Sequence, residues 1–170
     1  EGAPCGLVKN LAIISSITVA SDSNLVRKLC YEIGVRDYNE ISIKNYSNNT
    51  IIFINGDVVG VYNDPYKLYS RLKNYKRSGR IHYQTSIVWD IKFNKINIST
   101  EAGRCVRPVF IIDNGNILRF TKKIHDKIIK KEIIWNNLLS NIFHDKKNIN
   151  ISELNSKYTE YQEGIIEYID

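Results

Sequence analysis

At residues 50–62 the chain reads Thr50-Ile51-Ile52-Phe53-Ile54-Asn55-Gly56-Asp57-Val58-Val59-Gly60-Val61-Tyr62, and this stretch decides its local fold. Two apolar runs rich in β-branched residues flank Asn55-Gly56, a pair that tolerates the positive φ angles of a tight turn. Turn-forming residues also precede the first run, at 46–49. The stretch therefore predicts an antiparallel β-hairpin.

Helices are predicted on both sides of this hairpin. Before it, Ser21-Asp22-Ser23 can cap a helix from about 24 to 33, which Gly34 can end in the left-handed conformation. After it, Asp64 offers an N-cap for a helix from Pro65 to about Arg77, which Ser78-Gly79 ends. Each helix carries one apolar stripe and is expected to pack on a sheet. The stripes consist of Leu25, Val26, Leu29, Cys30 and Ile33, and of Leu68, Tyr69, Leu72 and Tyr75.

Further strands are predicted in the other apolar runs. Residues 6–19 form one such run and are expected to be extended. Three strands follow at about 83–92, 95–100 and 104–112, and a last one at 165–169. Pro108 cannot donate a hydrogen bond to a neighbouring strand, so the strand that contains it is expected to be an edge or irregular.

The second half of the chain begins with a turn signal at 113–116, which marks the expected boundary between subdomains. Residues 121–142 have a helical period of apolar residues, which fits one long helix or two with a break near Glu132. A polar loop is expected at 144–151 and a capped helical segment at 152–162. Together these elements predict an α+β fold of mixed short strands and helices, in two small subdomains.

Composition narrows the class of protein. The 24 Lys and Arg residues outnumber the 18 Asp and Glu residues, giving a net charge of +6 that suits an acidic or nucleic-acid partner. On charge alone, a solvated basic surface is the favoured explanation. No apolar run approaches the 18 residues typical of a membrane span. The chain has no methionine and opens on Glu1-Gly2, so we expect it to be an internal piece of a larger protein.

No catalytic or metal-binding residues are predicted. The three cysteines are scattered without Cys-x-x-Cys spacing, so zinc is not expected and the thiols are expected to be reduced, with Cys30 in the core. The sequence also has no P-loop, no His-Glu-x-x-His and no Asp-x-Asp cluster that could hold Mg²⁺. The chain is expected to contribute scaffold and surface rather than reacting groups.

Two sets of basic residues could contact an anion. The helix at 65–77 carries Lys67, Arg71, Lys73, Lys76 and Arg77, which either complement the helix dipole or form a ridge that faces phosphate. Both explanations stay open. Arg104 and Arg107 lie just before the irregularity expected at Pro108, and for them we favour an internal ion pair with Glu101 or Asp90 over contact with a ligand.

Four stretches carry a family resemblance. They are Glu1-Gly2 leading into Cys5-Gly6-Leu7-Val8-Lys9-Asn10-Leu11, then Asn55-Gly56-Asp57-Val58-Val59-Gly60, Glu101-Ala102-Gly103-Arg104-Cys105-Val106-Arg107-Pro108-Val109-Phe110, and Gly164-Ile165-Ile166-Glu167-Tyr168-Ile169-Asp170. In kind and order they resemble the second-largest subunit of DNA-directed RNA polymerase of the eukaryotic, archaeal and large-DNA-virus type.

This resemblance implies an organisation and a function. Residues 1–20 would be the end of the fork region, 21–112 the first external domain, and 113–170 the second, incomplete or with an insertion. The holoenzyme would carry out nucleotidyl transfer with Mg²⁺ held by the largest subunit, and this piece alone would be inactive, with no cofactor of its own. Partners would be the other polymerase subunits, above all the largest, with template DNA and RNA, and no membrane. The location would be intracellular: the nucleus for a cellular eukaryote, the host cytoplasm or the virion for a virus.

Residue roles follow from the same resemblance. The residues expected to face nucleic acid are Lys9, Arg71, Lys73, Lys76 and Arg77. The motif residues expected to be structural are Glu1, Gly2, Cys5, Gly6, Asn10, Gly103, Arg104, Arg107 and Pro108. We therefore expect Arg107→Ala to disturb folding or assembly more than nucleotide selection.

Two alternatives come from other classes of protein. The first is an independent nucleic-acid-binding module, in which bases would stack on Tyr66, Tyr69 or Tyr75 beside the basic helix. The second is an interaction domain without a nucleic-acid role, held to its partners by the amphipathic segment 121–142.

Overall fold

The computed structural model describes residues 2–3, 5–40, 49–113, 117–139 and 164–170. The described helices are α1 (Ser23–Ile33), α2 (Pro65–Arg77) and α3 (Lys122–Ile129). The described strands are β1 (Ser16–Ile17), β2 (Arg36–Asp37), β3 (Thr50–Ile54), β4 (Asp57–Tyr62), β5 (Ser86–Asp90), β6 (Lys95–Ser99), β7 (Cys105–Phe110), β8 (Ile112–Asp113), β9 (Ile117–Leu118) and β10 (Ile166–Ile169). The predicted α+β class is confirmed. The turn at 46–48, the loop at 144–151 and the helical segment at 152–162 lie outside the described residues.

A five-stranded sheet in the order β2-β4-β3-β6-β5 forms the larger part of the fold. The predicted hairpin is its centre: β3 and β4 pair antiparallel, and Asn55 and Gly56 both have positive φ, at 52° and 90°. Asn55 also ties the turn to the strand beyond β3, because its side-chain oxygen accepts a hydrogen bond of 2.8 Å from the Thr100 N–H. The hairpin prediction is confirmed.

Helices α1 and α2 contribute to the core of this sheet, with the caps that the sequence predicts. Asp22 accepts from the Asn24 N–H at 2.9 Å, Gly34 ends α1 with φ of 109°, and Asp64 accepts from the Lys67 N–H at 3.0 Å. Their apolar stripes lie in one core with the sheet, although Leu25 stays exposed. Fully buried members of this first core include Cys30, Ile52, Leu68, Leu72, Ile81 and Ile96.

A second sheet, in the order β1-β7-β10, is antiparallel throughout. Its middle strand is β7, and its pairing with β10 runs through Pro108 without a register shift, so the expectation that Pro108 marks an edge or irregular strand is wrong for the sheet as a whole. β1 pairs only with Cys105 and Val106, before the proline, and β10 pairs with residues 107–110. β1 ends before it reaches Pro108, so no hydrogen bond to β1 is lost because Pro108 lacks an N–H.

The predicted extended run at 6–19 is wrong over most of its length, since only Ser16–Ile17 forms a strand. The apolar side chains of this segment are largely exposed, and Ile13 is fully so. A strand needs a neighbour to bond with, and among the described residues only β7 supplies one, over two positions.

The segment 121–142 does not form one long helix. It is interrupted near Glu132, as in the second of the two predicted arrangements. Helix α3 ends at Ile129, Lys131 adopts a left-handed φ of 59°, and a short 3-10 turn follows at Trp135–Leu138. Leu138, Leu139 and Ile166 are buried together in a second core, packed by Ile124, Ile128, Ile133, Tyr83 and Tyr168. Among the described residues, no helix has the length and apolar character needed to cross a bilayer.

Candidate functional site

Three cations of α2 converge on one carboxylate of β10. Lys73 Nζ lies 2.5 Å from Glu167 Oε1, Arg77 Nε lies 3.0 Å from Glu167 Oε2, and Lys76 Nζ lies 3.7 Å from Oε1. Positions 73, 76 and 77 share one face of a helix because they are three and four residues apart. We call Lys73, Lys76, Arg77 and Glu167 the charged junction; it joins the helix of the first core to the edge of the second sheet.

Burial sets the electrostatics of this junction. The Glu167 side chain is only 5% exposed, and burial alone would raise its pKa. The hydrogen bond from Lys73 and the charges of Lys73, Lys76 and Arg77 outweigh burial, so the pKa of Glu167 is lowered and the carboxylate stays ionised. Burial lowers the pKa of Lys76 to about 8, although the Glu167 carboxylate opposes that shift.

A second anchor is Arg104, whose contacts come from four parts of the chain. Its Nη1 lies 2.6 Å from Asp170 Oδ1, its Nη2 donates to the Gln84 carbonyl at 2.7 Å, and its Nε donates to the Glu101 carbonyl at 3.3 Å. Its backbone N–H donates to the Thr18 hydroxyl at 3.0 Å. This arrangement fixes the entrance of β7 against the end of β10.

The ion pair that we favoured for Arg104 therefore has a different partner. Its counterion is Asp170, whereas Glu101 offers only its backbone carbonyl and Asp90 lies 3.9 Å from Lys95. Arg107 is exposed, and it forms no ion pair with any described residue. The two guanidinium groups thus do not act as a pair. Arg104 lies before the start of β7, whereas Arg107 lies within the strand.

Gly164 makes a third close contact, at the point where the chain enters β10. Its N–H donates to the Arg77 carbonyl at 2.9 Å, and its carbonyl accepts from Arg119 at 3.2 Å. A methyl group on Gly164 would overlap the carbonyl oxygen of Leu139. Only glycine allows this approach between β10 and the second core.

The residues predicted from sequence fall into separate groups. Of the five expected to face nucleic acid, Lys73, Lys76 and Arg77 meet at Glu167, whereas Arg71 and Lys9 are exposed and lie outside the junction. Contact of these residues with nucleic acid stays a prediction. The sequence analysis missed Glu167, although a lone carboxylate within the apolar strand at 165–169 signals a buried charge that needs a partner.

The motif residues are also dispersed. Gly103 has φ of 85° and donates its N–H to the Thr18 carbonyl at 3.1 Å, while Pro108 lies opposite Tyr168 in the strand register. At the start of the chain the motif residues are exposed, and Glu1 lies outside the described residues; the exposed ones are Gly2, Cys5, Gly6 and Asn10.

The chemistry open to this region is that of holding elements together. In the described ranges, no three His, Cys, Asp or Glu side chains are grouped so that they could hold a metal ion. The carboxylate of Glu167 is fully engaged by cations, and the Cys30 thiol is inert because burial raises its pKa to about 12. The arrangement is suited to structural fixation.

Comparisons with known proteins all give matches to one kind of protein. The family described as RNA polymerase Rpb2, domain 4, matches residues 52–113. The DNA-directed RNA polymerase II subunit RPB2 of Encephalitozoon cuniculi is 36% identical over 84% of this chain, and that of Schizosaccharomyces pombe is 33% identical over the whole of this chain. The DNA-directed RNA polymerase II subunit 2 of Arabidopsis thaliana is 40% identical over 69% of the chain. The aligned regions make up only 10 to 14% of these relatives.

Proposed function

Since the chain belongs to the family of second-largest subunits of DNA-directed RNA polymerase, we propose that it serves as scaffold around the active-centre cleft of such an enzyme. In that role it supports template-directed RNA synthesis without supplying a reacting group. Nucleotidyl transfer belongs to the assembled polymerase, of whose second-largest subunit this chain corresponds to about an eighth.

The observation that carries this proposal is the ion pair between Arg104 and Asp170, 2.6 Å apart. These residues belong to two different stretches of the family resemblance, 101–110 and 164–170, which pair as β7 and β10. The stretch at 55–60 is linked to them less directly. Its Asn55 is hydrogen-bonded to Thr100, which directly precedes the stretch at 101–110. The residues that carry the resemblance thus hold strands together, as expected for scaffold rather than for a reaction centre.

The finer assignments are part of the same proposal. Residues 1–20 would border the cleft as the end of the fork region, 21–112 would be the first external domain and 113–170 the second. The largest subunit would be the main partner and would hold Mg²⁺, for which the described residues of this chain offer no fitting set of ligands. Template DNA and RNA would lie nearby. The protein would work inside the cell, in the nucleus of a eukaryote or, for a virus, in the host cytoplasm or the virion.

Exposed apolar surface supports contact with further parts of a polymerase. It includes Leu7, Val8, Leu11, Ile13, Phe110, Ile112, Leu118 and Trp135. Large exposed apolar surfaces mark sites of protein–protein interaction where such side chains lie together, as Leu7, Val8 and Leu11 do in sequence. The same surface underlies the alternative of an interaction domain without a nucleic-acid role, which the family membership makes the weaker candidate.

An independent nucleic-acid-binding module has less support. Tyr69 packs against Trp89 with ring centroids 6.1 Å apart, and Arg80 lies 4.4 Å over the ring of Tyr75. Both tyrosines border the first core, and of the three proposed stacking residues only Tyr66 is exposed. One exposed aromatic ring is a poor platform for successive bases.

Reconstitution of the polymerase with Arg104→Ala tests the proposal. We expect less of the variant subunit in assembled enzyme, because the link between β7 and β10 is lost. The nucleotide-addition rate per assembled enzyme should stay within about twofold of the wild type, since Arg104 touches no reacting group. Full assembly with a changed rate or misincorporation frequency would contradict the scaffold role.

A further inference from the structure

A groove lies between two sheet edges, beside the charged junction. Its volume is about 140 Å³, roughly ten times the smallest space that holds one water molecule. It therefore has room for a side chain. The groove is lined chiefly by Lys73 and Lys76 of α2, Ser86 and Val88 of β5, and Tyr168 and Asp170 at the end of β10.

Both strands beside this groove are edge strands. β5 is the last strand of the five-stranded sheet, and β10 is the last strand of the second sheet. Within the described parts of the chain, β5 pairs only with β6, so the backbone groups on its other side have no partner strand. Such an edge is a template for an added extended segment.

The charge of the groove is positive. Lys73 and Lys76 line the groove, and they share one carboxylate, that of Glu167, with Arg77, which lies outside the groove lining. One carboxylate cannot neutralise three cations. The carboxylate of Asp170 is engaged by Arg104. Each ammonium has three donors, and the hydrogen bonds and ion pairs described for Lys73 involve only Glu167, and for Lys76 only Glu167 and the Tyr168 carbonyl.

We propose that this groove binds an extended, acidic segment of a partner protein, which pairs with the outer edge of β5 and directs a Glu or Asp carboxylate towards Lys73 and Lys76. Three features carry the proposal together: an unpaired strand edge, a cavity that fits one side chain, and two lysines against one carboxylate, that of Asp170, among the charged residues that line it. The inference concerns a partner that the scaffold role does not specify.

An acidic peptide fits these features better than nucleic acid does. The Lys76 side chain is 4% exposed, so a ligand must reach into the groove to contact it. A carboxylate on a flexible side chain can do so, whereas phosphates are fixed along a bulky backbone. The exposed cation Arg71 would be the better candidate for phosphate contact on this helix.

Fluorescence anisotropy with the full subunit tests the proposal. The probe is a labelled peptide of about seven alternating Glu and Val residues, long enough to form one added strand. A second peptide carries Gln in place of Glu, and a single-stranded DNA oligonucleotide serves as competitor. Val88→Glu puts a negative charge, which repels the acidic peptide, in the groove at a half-exposed position. Val58→Glu makes the same charge change at an exposed position of β4, outside the groove.

We expect the acidic peptide to bind and both the Gln peptide and the Val88→Glu variant to weaken binding by about tenfold or more, because the carboxylate–ammonium contact is lost or repelled. Val58→Glu should stay within about twofold of the wild type. Absence of binding, or equal loss in both variants, would overturn the proposal. Competition by DNA that Val88→Glu abolishes would also overturn it and would identify a phosphate site instead.

Discussion

The Lys76 ammonium donates a hydrogen bond of 2.6 Å to the backbone carbonyl of Tyr168, which lies opposite Pro108 in the second sheet. This bond spans 92 positions of the sequence and joins α2 to the edge strand β10. Lys76 is buried there, so an ammonium group takes a place in the interior that an apolar residue usually holds. The contact between the two parts of the fold is thus made by charge and hydrogen bonds as well as by apolar packing.

Glu167→Gln should loosen β10. The change removes the counterion that Lys73, Lys76 and Arg77 share, and loss of one partner of a buried ion pair costs roughly 3 to 5 kcal/mol. We expect faster hydrogen exchange of the β10 amides, measured by mass spectrometry on the full subunit.

Asp57→Asn is the matched control for Glu167→Gln. It also removes one carboxylate charge, but the Asp57 side chain is 82% exposed and lies 4.0 Å from Arg27. Exposed pairs contribute about 0 to 1 kcal/mol, so exchange near β4 should hardly change. If both variants behave alike, the junction is not a special source of stability.

Gly164→Ala should destabilise the second core. A methyl group would overlap the Leu139 carbonyl oxygen, and relief of the overlap must move Leu139, which directly follows the turn at 135–138, away from the start of β10. Overpacking of this kind costs about 1 to 3 kcal/mol. A lower melting temperature of the subunit is expected, whereas Gly2→Ala, with no atom within 4 Å of the added carbon, should leave it unchanged. An unchanged melting temperature for Gly164→Ala would show that this approach is not required.

Raising the pH should stabilise the fold through Lys76. Its pKa is about 8 in the folded protein because of burial, below the ordinary value of 10.5. Between these values the unfolded state binds more protons than the folded state, so this group's contribution to the free energy of unfolding increases with pH. Below about pH 8 both states are protonated and the contribution is constant.

The Lys76→Met variant isolates this effect, because it keeps a long side chain and removes the titrating group. The difference in melting temperature between wild-type and variant subunit should shift in favour of the wild type from about pH 8 to about pH 10. A difference that stays flat, or shifts the other way, would contradict the lowered pKa.

Arg107→Ala should have a smaller effect than the sequence led us to expect. Arg107 is exposed and without an ion pair among the described residues, whereas Arg104, three positions earlier, is held by Asp170, Gln84, Glu101 and Thr18. We expect Arg107→Ala to co-purify with the other polymerase subunits at the wild-type level and Arg104→Ala to be depleted. Stronger depletion for Arg107→Ala would point to a partner surface at that position.

Local signals account for the parts of the fold that were predictable from the sequence. The turn at Asn55-Gly56 and the caps Asp22 and Asp64 act within a few residues, so their chemistry is visible in the sequence itself. The strand at 6–19 failed because its apolar pattern implies a partner strand that the described residues supply at only two positions. Strand pairing is a property of the whole fold, and local pattern does not determine it.

The candidate site depended on contacts that are distant in sequence. Crowding of cations on α2 was evident, but their common counterion Glu167 lies 90 positions beyond Arg77. The same holds for Arg104 and Asp170, which are 66 positions apart. Residue types alone favoured the nearer acids Glu101 and Asp90, because sequence distance was the only guide to spatial distance.

The charged junction can form only after Glu167, its last residue in the sequence, has been synthesised. Glu167 leaves the ribosome 90 residues after Arg77, which at ordinary translation speeds means a delay of roughly 5 to 20 s. Throughout that interval the nascent helix carries three cations whose eventual counterion has not yet been made. The pairing of β10 with β7 therefore cannot begin until this interval after the synthesis of α2, however fast the local elements fold.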